Sequence, residues 1–176
     1  TLLQNYDSII PLERLDTLKI ASLVIGESGN SFQMMLNNYA AVDSFSISEN
    51  ANIKQQAIIL DKLSEYNLVI VSIHKSNANA WKDYKILKNT DIFLQTIALQ
   101  SKVILTIFAN PYSINSLLFT DNFDAMLLGY QNSKLAQDKV AQSVFGGLSI
   151  NGAIPVSTKH FNIGSGIKTD SIRISY

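Results

Sequence analysis

The sequence predicts an α/β fold in which a mainly parallel sheet is sandwiched between helices, as in a flavodoxin-like three-layer sandwich. Four apolar runs of strand length are separated by segments with helical spacing, which is the pattern of successive βαβ units. Most of these runs are apolar at nearly every position, which is typical of parallel strands buried on both faces. With 176 residues, 47% of them hydrophobic and 16% charged, the chain is large enough for one such domain.

In the first half of the chain, hydrophobic periodicity places three strands and two helices. The second strand alternates apolar and polar residues and is expected near a sheet edge, and Asn52 is a suitable N-cap for the second helix. In chain order the predicted elements are a strand at 18–26, a helix at 31–39, a strand at 42–47, a helix from 53 to 63 and a strand at 68–73.

In the second half, the polar stretch 74–89 is the longest predicted loop. Thr90 is expected to cap one helix, and Asn132 or Ser133 the next, which stops at the Gly146-Gly147 pair. Pro155 cannot donate a ladder hydrogen bond and places the final strand at an edge or bulge. The predicted elements are a helix at 90–99, strands at 103–108 and 125–128, a helix from 134 to 144 and a short strand at 154–156.

The predicted domain organisation is a single α/β sandwich over residues 1–160, with residues 161–176 as a tail or as a linker to a further domain. The segment Asn162–Gly166 is the only linker-like stretch rich in Gly and Ser. The chain begins at Thr1 without an initiator Met and ends abruptly after the strand-like segment 171–176, so we expect it to be part of a longer protein.

Composition removes several classes of function. Lys plus Arg and Asp plus Glu each total 14, and the basic residues form no stripe, so nucleic acid is not an expected partner. The absence of cysteine excludes thiolate catalysis, and the two histidines, His74 and His160, lie too far apart in sequence to form a recognisable metal site. No apolar run approaches the roughly 20 residues that span a bilayer. We predict no metal, no cofactor and no membrane span.

The loop 74–85 leaves the carboxyl end of a central predicted strand, where open α/β sheets place ligands. It contains the only Trp of the chain beside amides and a cation, a combination suited to gripping a sugar ring; the alternative is a solvated loop with Trp81 against a helix. The candidate substrate contacts, none of them catalytic, are His74, Lys75, Asn77, Asn79, Trp81 and Asp83.

The segment Asn110-Pro111-Tyr112 follows the next strand at the same edge. Its three residues are candidates for contact with a neighbouring domain, although a purely structural role in the bend is the safer interpretation.

The turn Gly26–Ser31 supports an alternative, an independent module that binds a small anionic ligand at a strand-to-helix turn. It lacks the GxGxxG pattern and the Lys of a P-loop. Ser28 does not complete a G-x-S-x-G elbow either, because Asn30 stands where Gly is required.

Several segments occur in an order that resembles a known family. Residues 1–12 (TLLQNYDSIIPL) are similar to a family segment written LLKNE…LPL, and residues 108–112 (FANPY) are similar to FGNPY. The strand at 19–26 lies between them, and residues 130–157 contain a helix that ends in Phe-Gly-Gly, an Asn-Gly turn and Ile-Pro-Val-Ser; the segment 162–166 follows. Together these segments resemble the C-terminal domain of glycoside hydrolase family 3, in a bacterial protein.

This resemblance implies that the parent protein hydrolyses β-linked glucose or N-acetylglucosamine. Its N-terminal TIM barrel, which supplies the nucleophile, would be the partner of this domain, and the carbohydrate substrate would bind through the parent enzyme. In the β-glucosidase branch a Glu acid/base comes from the loop that corresponds to residues 74–85, but that loop contains no Glu, and Asp83 is its only acid.

The missing Glu favours the β-N-acetylglucosaminidase branch, in which the barrel carries the acid/base residues. The resemblance therefore implies a non-catalytic accessory domain. Residues 172–176 also resemble a join to a β-lactamase-like domain, and the family analogy favours a periplasmic or secreted location.

Overall fold

The structure, a computed structural model, describes residues 1–26, 30–78, 81 and 84–172. These residues form six strands and four α-helices. The strands are β1 (Leu2–Asn5), β2 (Ile20–Gly26), β3 (Val42–Ile47), β4 (Leu68–His74), β5 (Lys102–Phe108) and β6 (Ala125–Leu128). The helices are α1 (Asn30–Leu36), α2 (Ile53–Leu63), α3 (Lys88–Ala98) and α4 (Lys134–Val144).

The strands form one sheet in the order β1-β6-β5-β4-β2-β3. Strands β2 to β6 run parallel, and β1 pairs antiparallel with β6. The chain passes outward from β2 to β3 and then crosses to β4 on the other side of β2, so the winding direction reverses between β2 and β4. The predicted α/β fold with a mainly parallel sheet is confirmed, as is the edge position of β3.

Alternate residues of the central strands point to opposite sides of the sheet, so each of these strands contributes to a core on either face. Val69, Val71 and Ile73 belong to the core that includes the buried side chains of α2 and α3. Leu68 and Ile70 belong to a second core on the opposite face, which includes the buried side chains of α1 and α4. The central strands are continuous apolar runs in the sequence because each of them supplies side chains to both cores.

The starts of the helices test the predicted caps. Asn52 caps α2 in a capping box: its side chain accepts from the Gln55 N–H, and the Gln55 side chain accepts from the Asn52 N–H. Of the two candidates before α4, Ser133 is the cap, and it accepts from the Ala136 N–H. The prediction that Thr90 caps α3 is wrong. That helix begins at Lys88, and Thr90 is buried within it, where its hydroxyl donates to the Glu49 carbonyl at 3.4 Å.

The two ends of the sheet region differ from the prediction. Strand β1 was not predicted as a strand, and it pairs with β6 at Leu2↔Leu127. The predicted strand at 154–156 is wrong, since those residues form no strand. The Ile154 N–H instead donates to the Ser165 carbonyl, and the Ile154 carbonyl accepts from the Gly164 N–H, both at 2.8 Å, so its hydrogen bonds go to a loop.

Residues 161–172 lie against the sheet edge and the C-terminal end of α4. Ile167 bridges to Leu2, and Thr169 bridges to Ile150, while the Ile172 N–H donates to the Gly146 carbonyl at 2.8 Å. The division into a domain and a tail stays a prediction. Among the described residues no helix has the length and apolar character needed to cross a bilayer.

Candidate functional site

A cleft of about 470 Å³ lies at the carboxyl edge of the sheet, above strands β4, β5 and β6. Three segments line it, each following directly from one of these strands, which is where open parallel sheets place ligands. The lining residues are Lys75, Ser76, Asn77, Trp81 and Tyr84 after β4, Ala109, Asn110 and Pro111 after β5, and Tyr130 and Gln131 after β6.

Two asparagine side chains of the cleft are held by backbone N–H groups. The Asn132 N–H donates to Asn77 Oδ1 at 3.1 Å. The Tyr112 N–H donates to Asn110 Oδ1 at 3.0 Å, so Asn110 caps the short 3₁₀ turn that Pro111 begins. Because a backbone N–H can only donate, both amide oxygens are fixed as acceptors.

The cation of the cleft, Lys75, is paired with a carboxylate. Its Nζ contacts Glu49 Oε1, and the two side chains are only 10% and 20% exposed. Glu49 lies just beyond the end of β3, so the pair links the loops after β3 and β4. A largely buried charge requires a partner of this kind, because removal from water disfavours the charged form. The pair adds no net charge to the cleft.

His74 lies below the floor of the cleft and not in its lining, with 1% of its surface exposed. Its ring stacks on Phe108 at a centroid distance of 4.7 Å and meets Phe32 edge-on at 6.3 Å. Burial in this aromatic environment lowers the pKa of His74 to about 4, although the hydrogen bond with Asn132 acts in the opposite direction. The imidazole is therefore neutral at physiological pH.

A chain of hydrogen bonds fixes which ring nitrogen of His74 carries the proton. The Phe32 N–H donates to Gln137 Oε1 at 3.1 Å, so the Gln137 amide nitrogen is left to donate, and it does so to Asn132 Oδ1 at 2.7 Å. Asn132 Oδ1 is then the acceptor for His74 Nδ1 at 2.8 Å. His74 therefore carries its proton on Nδ1. Its Nε2 has no hydrogen-bond partner among the described residues.

Tyr130 forms one wall of the cleft from a strained backbone. Its φ is +63°, a region that residues with side chains rarely adopt, and the Gln131 N–H donates to the Gly129 carbonyl at 2.7 Å across it. The Tyr130 hydroxyl is held by Thr1 Oγ1 at 2.6 Å and donates to the Ala153 carbonyl at 3.3 Å. Strain of this kind persists only where surrounding contacts hold it, so the ring is a fixed surface.

The structure brings together most of the residues that the sequence singled out. Lys75, Asn77, Trp81, Asn110 and Pro111 line one cleft. Trp81 is 80% exposed and is not packed against a helix. Tyr112 is beside the cleft and His74 beneath it, while Asn79 and Asp83 lie outside the described residues. Whether any of them contacts substrate or a neighbouring domain stays a prediction.

Sequence reasoning missed five residues of the lining: Ser76, Tyr84, Ala109, Tyr130 and Gln131. The signal for the last two was present, since both come directly after a predicted buried strand and therefore at the same edge of a parallel sheet. Tyr84 lies within the loop 74–85, but it was not among the predicted substrate contacts of that loop.

The other predicted ligand site, the turn Gly26–Ser31, falls largely on residues 27–29, which lie outside the described residues. One N–H of the first turn of α1, that of Phe32, is already bound to Gln137 Oε1. Within the described part of the chain, no cluster of His, Asp or Glu side chains could hold a metal ion.

Comparison with known proteins finds similarity at the level of structure alone, since no family model and no curated sequence matches the chain. The chain is similar to part of a fungal multi-domain GH3 β-N-acetylglucosaminidase that contains a GCN5-related glucosamine N-acetyltransferase region, with 19% identity and a TM-score of 0.63. It is also similar to a GH3 β-N-acetylglucosaminidase from Paenibacillus sp. str. FPU-7 (16%, 0.64) and a β-glucosidase from Listeria innocua (15%, 0.64).

These alignments cover 83–84% of this chain but only 16%, 28% and 24% of the three enzymes, in the same order. The fold expected from the resemblance is therefore confirmed: the chain has the fold of a C-terminal region of family 3 glycosidases. The chain spans less than a third of the length of these enzymes.

Proposed function

We propose that this chain is a non-catalytic accessory domain of a family 3 glycoside hydrolase. It packs against a TIM-barrel domain of the same protein, which binds and hydrolyses the carbohydrate. The observation that carries the proposal is the shared fold over more than four fifths of this chain, together with the small part of each glycosidase that it spans.

The chemistry of the cleft supports the non-catalytic part of the proposal. Retaining glycosidases need two carboxyl groups about 5–5.5 Å apart across the scissile bond. Among the described residues the lining contains no carboxylate. The carboxylate of Glu49 is paired with Lys75, which lines the cleft. The neutral His74 is buried beneath the floor. No described residue is placed as a nucleophile or as an acid/base.

The absence of Glu from the loop after β4 favours a parent that cleaves β-linked N-acetylglucosamine over one that cleaves β-linked glucose. In this proposal the cleft faces the barrel, and its exposed Trp81 and fixed Tyr130 border the path of the glycan. Asn110, Pro111 and Tyr112 are then candidates for contact between the two domains.

The test is hydrolysis of p-nitrophenyl β-N-acetylglucosaminide and p-nitrophenyl β-glucoside by the 176-residue chain and by its full-length parent. We expect activity from the parent only, with preference for the first substrate. Asp83→Ala in the parent separates an accessory role from a catalytic one, with Asp121→Ala, far along the chain in an exposed loop, as its matched control.

An accessory role predicts that both variants keep the parental kcat. A loss of about 100-fold or more with Asp83→Ala alone would assign the acid/base role to this domain. Hydrolysis by the isolated chain, or a parent gene without a barrel, would overturn the proposal.

A further inference from the structure

Four of the described residues that line the cleft, Lys75, Ser76, Asn77 and Asn110, can donate hydrogen bonds into it. The Oδ1 of Asn77 accepts from the Asn132 N–H, which fixes the orientation of the amide. Its Nδ2 makes no hydrogen bond to any described residue, and the side chain is exposed at the cleft. An amide whose oxygen is held from within the protein offers its two N–H donors to whatever enters the cleft.

The orientation of Asn77 is supported from below. Asn132, which donates to it, is itself fixed through its Oδ1, where the Gln137 amide and His74 Nδ1–H both donate, at 2.7 and 2.8 Å. Gln137 is 5% exposed and is anchored by the Phe32 N–H. Backbone N–H groups orient the amides of Gln137 and Asn77, and the Gln137 amide orients that of Asn132, so the position of Asn77 is well defined.

Three further residues of the lining also have hydrogen-bond donors to offer. Asn110 Oδ1 is occupied by the Tyr112 N–H, so its Nδ2 is the free end. Ser76 Oγ accepts from the Ala78 N–H at 3.2 Å, which leaves its O–H to donate. Lys75 uses one contact for Glu49 and, as an ammonium, has only donors to offer.

We infer that the cleft binds a glycan through an acceptor oxygen of a sugar substituent, the carbonyl oxygen of an acetamido group or a carboxylate oxygen, and that Asn77 and Asn110 set this preference. A sugar with a free amino group is disfavoured, because its ammonium would place donors against the amide donors of Asn77 and Asn110.

The inference deepens the proposed function, on which it rests for the choice of a glycan as ligand. The test uses the 176-residue chain and four β-1,4-linked trisaccharides built from glucose, N-acetylglucosamine, glucuronate or glucosamine. Dissociation constants come from calorimetry or from NMR titration. We expect the N-acetylglucosamine or the glucuronate trimer to bind at least about 10-fold more tightly than the glucosamine trimer, which is the discrimination that one unpaired hydrogen-bonding group produces.

Asn77→Asp and Asn110→Asp are the critical variants. Each keeps an oxygen for the backbone N–H that holds it, and Asp is as good a cap as Asn, so the local structure is retained. Each also replaces a free donor with a charged acceptor. We expect both variants to weaken the acceptor-bearing trimers about 10-fold or more and to strengthen the glucosamine trimer.

Asn115→Asp is the matched control, because Asn115 Oδ1 also accepts from a backbone N–H, that of Lys159 at 2.6 Å, but Asn115 does not line the cleft. It should leave the order of the four constants unchanged. Thermal melting of each variant confirms that it is folded.

The comparison of the two acceptor-bearing trimers identifies the group, carbonyl or carboxylate, that the cleft takes. Equal or tighter binding of the glucosamine trimer, no binding of any trimer, or an unchanged order in both cleft variants would overturn the inference. None of these results bears on hydrolysis by the parent, so the inference and the accessory role can fail separately.

Discussion

The buried His74 makes the stability of this protein depend on pH in a way that can be calculated. In the unfolded chain His74 takes up a proton near pH 6.5, whereas in the folded protein burial lowers its pKa to about 4. The unfolded state therefore binds more protons between these values, and stability falls as the pH falls through this window. Linkage gives a loss of about 2 kcal/mol between pH 7.5 and pH 5.0, and about 3 kcal/mol once the pH is below 4.

The assay is urea denaturation at pH 7.5 and 5.0, at constant ionic strength, for the wild type and His74→Gln. The Gln variant has an amide that can donate to Asn132 but no group that titrates. We expect the wild type to lose about 2 kcal/mol more than the variant, because carboxylates contribute equally to both.

A direct NMR titration makes the prediction independent of how stable the variant is. The His74 ring should show a proton on Nδ1, none on Nε2, and no protonation down to pH 5. Parallel losses of stability in wild type and His74→Gln, or an imidazole that titrates near pH 6.5 in the folded protein, would refute the reasoning.

Three further predictions concern stability, each measured by denaturation. Gly26→Ala should cost at least about 3 kcal/mol, because Gly26 has a φ of +100° and a Cβ would lie 2.4 Å from a backbone carbonyl oxygen of β4. Gly164→Ala, with a φ of +86° and nothing within 4 Å of the added Cβ, should cost only about 1 kcal/mol. Equal costs for the two variants would show that the clash with the β4 carbonyl oxygen does not contribute. Lys75→Met should cost about 2–3 kcal/mol by leaving Glu49 unpaired, and adding Glu49→Gln should restore more than half of it; no recovery would mean that the pair is not coupled. Asn52→Ala removes the side-chain oxygen that accepts from the Gln55 N–H and should lower the Tm by about 2–4 °C, and an unchanged Tm would contradict the cap.

The central sheet could be predicted because its residues carry a signal that depends only on burial. β4 and β5 are apolar at nearly every position, since both faces of the sheet are covered. α2 was predicted from its hydrophobic periodicity and from Asn52 as its cap, because both signals are local. Such features are visible in a sequence because they need no knowledge of what lies across the fold.

The errors arose where a distant partner decides the structure. Thr90 has the right side chain for a cap, but its hydroxyl is used by the Glu49 carbonyl, 41 positions away. β1 has only four residues, and its strand conformation depends on pairing with β6 at the other end of the chain. Ile154 was assigned to a strand, but a loop that comes later supplies its hydrogen bonds.

The location of the candidate site could be predicted, but the roles of its side chains could not. Parallel topology places the segments after β4 and β5 at one edge, which is why Asn77 and Asn110 meet in one cleft. That His74, the last residue of β4, lies beneath the floor depends on Phe108 and Asn132, which close over it from two other segments. The direction of each amide depends on backbone N–H groups that no sequence pattern reveals.

The pairing of β1 with β6 has a consequence for how the chain folds. Leu2 pairs with Leu127, so the first strand finds its place only after the sixth strand has emerged from the ribosome. Until then β2, β4 and β5 can assemble with their crossover helices, while the apolar Leu2 and Leu3 remain without cover. Closing so long a loop is slow compared with local assembly. We therefore expect the first strand to dock last and the edge beside β6 to be the part of the nascent sheet that most needs protection from other chains.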